Sequence, residues 1–138
     1  MTEPEAPPPP PQTPPPPQLR TILVVEDDRS IREMIARALG RRFRIVEAAD
    51  GLHASELLKQ MPVPALMISD VMMPRLDGFS LARLVRANDK LKSLPILFLT
   101  AKQSPSDVLQ GVSLGARHYM AKPFKVTELL DRVAKLVG

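Results

Sequence analysis

The chain has 138 residues and no cysteine, so it can bury one substantial core and cannot form disulfides or thiolate metal centres. A net charge of +4 and a pI near 9.8 invite a nucleic-acid reading, but one Tyr and no Trp leave no base-stacking platform. No apolar run is long enough to span a bilayer and the N-terminus is not built as a signal peptide, so a cytoplasmic protein is expected, with neither membrane nor nucleic acid as a partner.

Residues 1–18 hold ten of the sixteen prolines, in the runs Pro7–Pro11 and Pro14–Pro17. Proline fixes φ and removes the backbone donor, so this stretch is expected to form an extended, solvated polyproline II tail outside any packed core. Its plain role is a semi-rigid spacer; its Pro-x-x-Pro spacings would also suit an SH3- or WW-like groove. The tail's only charges are Glu3 and Glu5, which leaves residues 19–138 with 19 basic and 13 acidic side chains. These are dispersed, the densest basic group being Arg41-Arg42-Phe43-Arg44, and read as a solvated surface.

From Leu19 onward, apolar runs alternate with helical periodicities. The first run, Ile22–Val25, ends in Glu26-Asp27-Asp28. Behind it Ile31, Met34, Ile35, Ala38 and Leu39 recur at helical spacing and stop at Gly40, with Asp28 placed as the cap. A short strand near Arg44–Glu47 precedes a helix from about Gly51 to Gln60 that buries Leu57 and Leu58. The run Ala65–Asp70 breaks into a loop containing Pro74 and Gly78, where Asp77-Gly78 reads as turn chemistry, and Leu81, Leu84 and Val85 mark a third helix. Next, Pro95–Leu99 leads into Thr100. Ser104-Pro105-Ser106-Asp107 opens a fourth helix ending near Gly115, with Ser as cap, Pro in the first turn and Asp at the positive dipole end. The run His118–Ala121 leads into Lys122-Pro123, and a fifth helix from about Val126 buries Leu129, Leu130, Val133 and Val137. Strands that are solidly apolar are covered on both faces, which requires a parallel sheet. Five βα units therefore predict a doubly wound, three-layer α/β domain.

In such a sheet the carboxyl ends of the strands form the ligand-binding edge. There the chain offers Glu26, Asp27 and Asp70 as acids, Thr100 as a hydroxyl and Lys122 as an ammonium. Acids at the ends of adjacent buried strands repel one another unless something binds between them. A carboxylate can attack phosphorus to give an acyl phosphate, and a hard divalent cation relieves the repulsion that opposes the attack.

Five fragments, in this order and strand context, carry a resemblance. They are Ile22–Asp28, Asp70 with Met73-Pro74-x-x-Asp77-Gly78, Leu99-Thr100-Ala101, Gly115-Ala116, and Lys122-Pro123-Phe124. Residues 19–138 resemble the receiver domain of two-component response regulators, of the single-domain, chemotaxis-regulator-like type. The resemblance implies a flavodoxin-like fold, with a five-stranded sheet of order 2-1-3-4-5 and five helices. It implies that Asp70 is the phosphoacceptor and that Thr100, Lys122 and the backbone N–H of Ala101 hold phosphoryl oxygens. Mg2+ would be held by Asp27 directly, by Glu26 through water, by Asp70, and by the backbone carbonyl of Met72. Lys122-Pro123 would be a cis peptide, and Thr100 with Tyr119 would form the switch pair.

The implied phosphoryl donor is a sensor histidine kinase or a phosphotransfer protein. A downstream protein partner would read the face made by the fourth helix, fifth strand and fifth helix, roughly 105–115, His118–Ala121 and Val126–Val137, where small Gly111, Val112 and Ala116 leave room for rearrangement. The domain is then a regulator and not an enzyme, beyond assisting its own phosphorylation and dephosphorylation. The rival reading is a constitutive, unphosphorylated protein-binding module. A metal-dependent phosphatase is disfavoured, because Met72 stands where those enzymes need a second Asp. One departure from the family pattern is Arg117-His118, where many receivers carry acids before the fifth-strand Tyr. The acid-supported receiver dimer is therefore not expected, a weak or phosphorylation-dependent dimer stays open, and the basic output face suits an acidic partner. The chain stops at Gly138, directly after the last expected helix, which fits a regulator acting by docking or a piece of a longer protein.

Overall fold

The computed structural model describes residues 19–101 and 118–137. Its strands are β1 (Thr21–Val25), β2 (Arg44–Ala48), β3 (Leu66–Asp70), β4 (Ile96–Thr100) and β5 (His118–Ala121). The helices among the described residues are α1 (Arg29–Leu39), α2 (Gly51–Gln60), α3 (Gly78–Ala87) and α4 (Val126–Val137). The further helix expected at residues 105–115 lies outside the described residues, as do the proline-rich tail and Arg117.

All neighbouring strands pair in parallel, in the order β2-β1-β3-β4-β5. The chain leaves β1 towards β2 on one side and returns past β1 to β3 on the other. The order thus reverses between β1 and β3, and the crevice at their carboxyl ends is where such folds bind ligands. Register places Val25 opposite Ser69, so the residues that follow, Glu26 and Asp70, emerge side by side.

Alternate side chains of each central strand feed two cores, as the two-residue period of a strand requires. On one face Leu23, Val25, Met67, Ile96 and Phe98 meet Ala54 and Leu58 of α2 and Leu81, Ala82 and Val85 of α3. On the other, Ile22, Val24, Leu66, Ile68, Leu97 and Leu99 meet Ile35 and Leu39 of α1 and Leu129 and Val133 of α4. Each large apolar side chain fully buried in this way is worth about 1.5–3 kcal/mol. Phe98 packs edge-on against Phe79, with ring centroids 5.0 Å apart and planes at 68°. It also stacks on Tyr119, an arrangement that favours aromatic pairs.

Three aspartates start three of the helices. Asp28, Asp50 and Asp77 accept from Ile31 N at 3.1 Å, His53 N at 2.8 Å and Ser80 N at 2.8 Å, respectively. Each satisfies an orphan donor of the first turn, a contribution of about 1 kcal/mol. Asp28 is the helix cap that its position suggested, and Asp77 caps α3 from the end of its loop. The helix marked by Leu81, Leu84 and Val85 is α3, in which Leu84 is 51% exposed. The buried stripe of α3 runs through Phe79, Leu81, Ala82 and Val85, and position 84 falls beyond its edge. In α2 and α4 the expected stripes hold at Leu58, Leu129 and Val133, while Leu57, Leu130 and Val137 are only partly covered.

Candidate functional site

Glu26, the residue immediately after β1, is fully buried, and Asp70, the last residue of β3, is 6% exposed. Asp27 is exposed beside them, and one carboxylate oxygen from each of the three lies within 4.8 Å of the others. The backbone fixes this cluster. Glu26 N donates to Ala48 O at 3.1 Å, and Arg32 Nη1 donates to Glu26 O at 2.8 Å.

Lys122 closes the pocket from just past β5, where its backbone N–H donates to Thr100 O at 2.8 Å. Its Nζ donates to Asp70 Oδ2 at 3.1 Å and to Glu26 Oε1 at 3.1 Å, and lies 3.0 Å from Glu26 Oε2. The Lys122-Pro123 peptide is cis. Sequence reasoning placed the ammonium beside Asp70 but missed its second partner, Glu26.

One ammonium shared between two buried carboxylates leaves an excess of negative charge. Burial pushes the Glu26 carboxyl up to about 7, with the hydrogen bond from Lys122 opposing and the charge of Asp70 adding to the rise. Burial alone would depress the Lys122 ammonium, but its bonds to Glu26 and Asp70 outweigh this and hold it above its ordinary value. The donor set is entirely hard oxygen, which suits a small divalent cation. Glu26 Oε2 is moreover buried with no aligned hydrogen-bond donor, although the ammonium is close in space. These residues fit Mg2+.

Two glycines hold the loop after β3 against the pocket. Gly78 N donates to Val71 O at 2.9 Å, closing the neck of the loop, and a Cβ at Gly78 would sit 2.2 Å from Asp70 O. Across the crown, a Cβ at Gly51 would sit 2.3 Å from Leu76 O. Asp50 also pairs with Arg75, which has φ 69°. The sequence reading singled out neither Asp50 nor Arg75; the one available signal was that Asp50-Gly51 repeats the Asp77-Gly78 pair before a helix.

Met72 lies in this loop two residues past Asp70 and is 76% exposed. Thr100 ends β4, one strand from Asp70, and is buried. Tyr119 lies on β5 one strand further, stacked on Phe98, its hydroxyl buried. The Arg41-Arg42 group contributes instead to a groove of about 830 Å³ between α1 and α4, also lined by Met34, Arg37, Val126 and Leu130, and shares no residue with the acidic pocket. Among the described residues no helix is long and apolar enough to cross a membrane.

A doubly wound parallel sheet with three acids and a lysine at its switch point is the arrangement of a signalling receiver domain. The response regulator receiver domain profile matches residues 22–134, and the chain belongs to that family, within two-component signalling. It is 44% identical over 117 residues to the response regulator MprA of Mycobacterium ulcerans, covering 84% of this chain and 49% of that protein. It is 40% identical over 119 residues to the transcriptional regulatory protein GltR of Pseudomonas aeruginosa, covering 86% and 49%. The chain thus spans about half the length of these curated relatives. Among solved structures, the chemotaxis protein CheY4 of Vibrio cholerae superposes with a TM-score of 0.81 at 33% identity, covering 86% of this chain and 98% of that one. The receiver domain of the sensor histidine kinase PA1611 from P. aeruginosa, with a magnesium ion coordinated in its active-site cleft, gives a TM-score of 0.75 at 32% identity, covering 86% and 98%.

Proposed function

We propose that residues 19–138 form a phosphorylation-dependent switch in which Asp70 accepts a phosphoryl group from a histidine kinase or phosphotransfer protein. The observation that carries this reading is the Lys122 ammonium set between Asp70 and Glu26, with Asp27 completing the acidic cluster. An Asp70 oxygen attacks the phosphorus of a phosphohistidine. The new O–P bond forms as the P–N bond breaks, and the imidazole leaves with a proton from solvent. Return to the resting state is attack of water on phosphorus, releasing inorganic phosphate and the carboxylate. Lys122 holds an oxygen of the transferred group, and the Thr100 hydroxyl, at the end of the neighbouring strand, donates to another. Mg2+ would be held by Asp27 and Asp70, by Glu26 through water, and by the backbone carbonyl of Met72. When bound, the cation neutralises charge between the carboxylate and the incoming phosphoryl oxygens.

Output follows from the added charge, which draws Thr100 towards Asp70 and lets Tyr119 take the vacated space. The partner-reading surface comprises residues 105–115, β5 and α4. The role proposed for residues 1–18 is that of a spacer.

The test is to incubate the chain with a small phosphodonor such as phosphoramidate, with and without Mg2+, and to follow intact mass. One added phosphate that requires Mg2+ and is lost in Asp70→Asn is expected. No incorporation under any condition would instead identify a constitutive binding module.

A further inference from the structure

The cation site proposed above requires the loop from Val71 to Asp77 to hold the Met72 carbonyl against the acidic pocket. Its neck is pinned by the Gly78 N–Val71 O bond, and the bond from Leu76 N to Pro74 O at 2.8 Å tightens its crown. Met73 and Leu76 lie against the α2/α3-side core. Val71 N donates to Leu99 O of β4 and Asp77 caps α3, so the loop's two ends are tied; its crown is tied to the start of α2 by Arg75.

Arg75 occupies the left-handed region, a conformation that is unfavourable for an ordinary L-residue and free for glycine. A non-glycine residue held there implies that its side chain returns something. That side chain reaches the Asp50 carboxylate, which is itself buried. Asp50 Oδ1 is engaged by His53 N at the start of α2, while Oδ2 takes the Arg75 guanidinium. One carboxylate therefore bridges a fixed helix end and the crown of the loop. The pair is half-exposed, since the Arg75 side chain is 68% accessible, so its contribution to global stability is small. Its effect is local: it fixes which way the loop leans.

We infer that Arg75 is a positioning residue for the divalent-cation site, acting through Asp50 to hold the loop that follows Asp70. The inference rests on the Mg2+ site proposed above. Groups outside the first ligand shell orient ligands in this way, and losing them typically weakens metal affinity about tenfold or more.

The experiment uses the whole chain and reads Mg2+ affinity by isothermal titration calorimetry, alongside the thermal midpoint and hydrogen exchange of the metal-free loop amides. Arg75→Gly is the decisive variant, because it removes the guanidinium while suiting the backbone conformation. It is expected to weaken Mg2+ binding about tenfold, to leave the thermal midpoint near that of the parent, and to speed exchange in the loop. Arg75→Lys should recover most of the affinity. Asp50→Asn, which keeps an acceptor for the α2 cap, should match Arg75→Gly, and combining the two should add no further loss. A parent chain that binds Mg2+ beside an Arg75→Gly variant of equal affinity overturns this inference alone. A parent chain that binds no Mg2+ overturns both the cation site and the role given to Arg75.

Discussion

Tyr119 stacks on Phe98 with ring centroids 5.6 Å apart and planes 25° from parallel, while its hydroxyl is buried with no hydrogen-bond partner among the described residues. The ring is well placed and its polar tip is not. Burial of the phenol also holds its pKa above the ordinary tyrosine value. A buried hydroxyl without a partner costs about 1–3 kcal/mol.

Tyr119→Phe keeps the stack and removes the unsatisfied group. It is expected to raise unfolding stability by about 1 kcal/mol, read as a higher urea midpoint at unchanged slope. An unchanged or lower midpoint would show that the hydroxyl is satisfied in solution.

Glu26 gives the chain a pH dependence of definite sign. Its folded pKa, about 7, lies above the ordinary 4.5, so the folded state holds this proton more tightly than the unfolded one. The stabilisation is fully present below about 4.5 and is lost as pH rises through about 7. The metal-free chain should therefore lose stability between pH 5 and pH 8 relative to Glu26→Gln, in paired denaturation curves. Mg2+ binding near neutral pH should release protons, seen as a dependence of the calorimetric heat on buffer ionisation enthalpy.

Lys122→Met leaves two buried carboxylates without their cation. Stability at pH 8 should fall by about 2 kcal/mol, less than the full cost of breaking a buried pair because the ammonium is partly solvated. Phosphorylation of Asp70 should slow at saturating Mg2+, whereas Mg2+ affinity should hold or improve with a competing cation gone. Calorimetry and phosphodonor labelling on one preparation separate these effects. A large loss of Mg2+ affinity would contradict the charge argument.

Gly78→Ala would place a Cβ 2.2 Å from the backbone oxygen of Asp70, between backbone held by the sheet on one side and by the α3 cap on the other. About 1–3 kcal/mol of overpacking is expected, together with weaker Mg2+ binding, because relief requires the end of β3 to move. Equal stability and affinity would show that the loop has slack.

Much of this site could be read from the sequence because its parts sit at the ends of buried strands. The solid runs Ile22–Val25, Leu66–Ser69 and Ile96–Leu99 announce strands covered on both faces, and the residues just beyond them define the edge. β2 is a weaker signal: at the sheet's edge it buries Ala48 and only part of Ile45 and Val46, and its run is short and interrupted by charge. Leu84 helps to mark α3, but its helical spacing does not say which face it takes, and it is exposed. The unforeseen contacts were those that join distant parts of the chain. Lys122 meets Glu26 across 96 residues of sequence, and Arg75 meets Asp50 across 25, distances that only the strand order and the loop path bring together.

The two Asp-Gly pairs have a consequence for engineering. Each places a helix cap beside a glycine with no room for a side chain, and both press on the same six-residue stretch between Val71 and Gly78, one from its neck and one from its crown. That stretch is consequently not a portable module. A graft exchanging it with a relative would have to carry the α2 start with it, or the transplanted segment would arrive gripped on one side only.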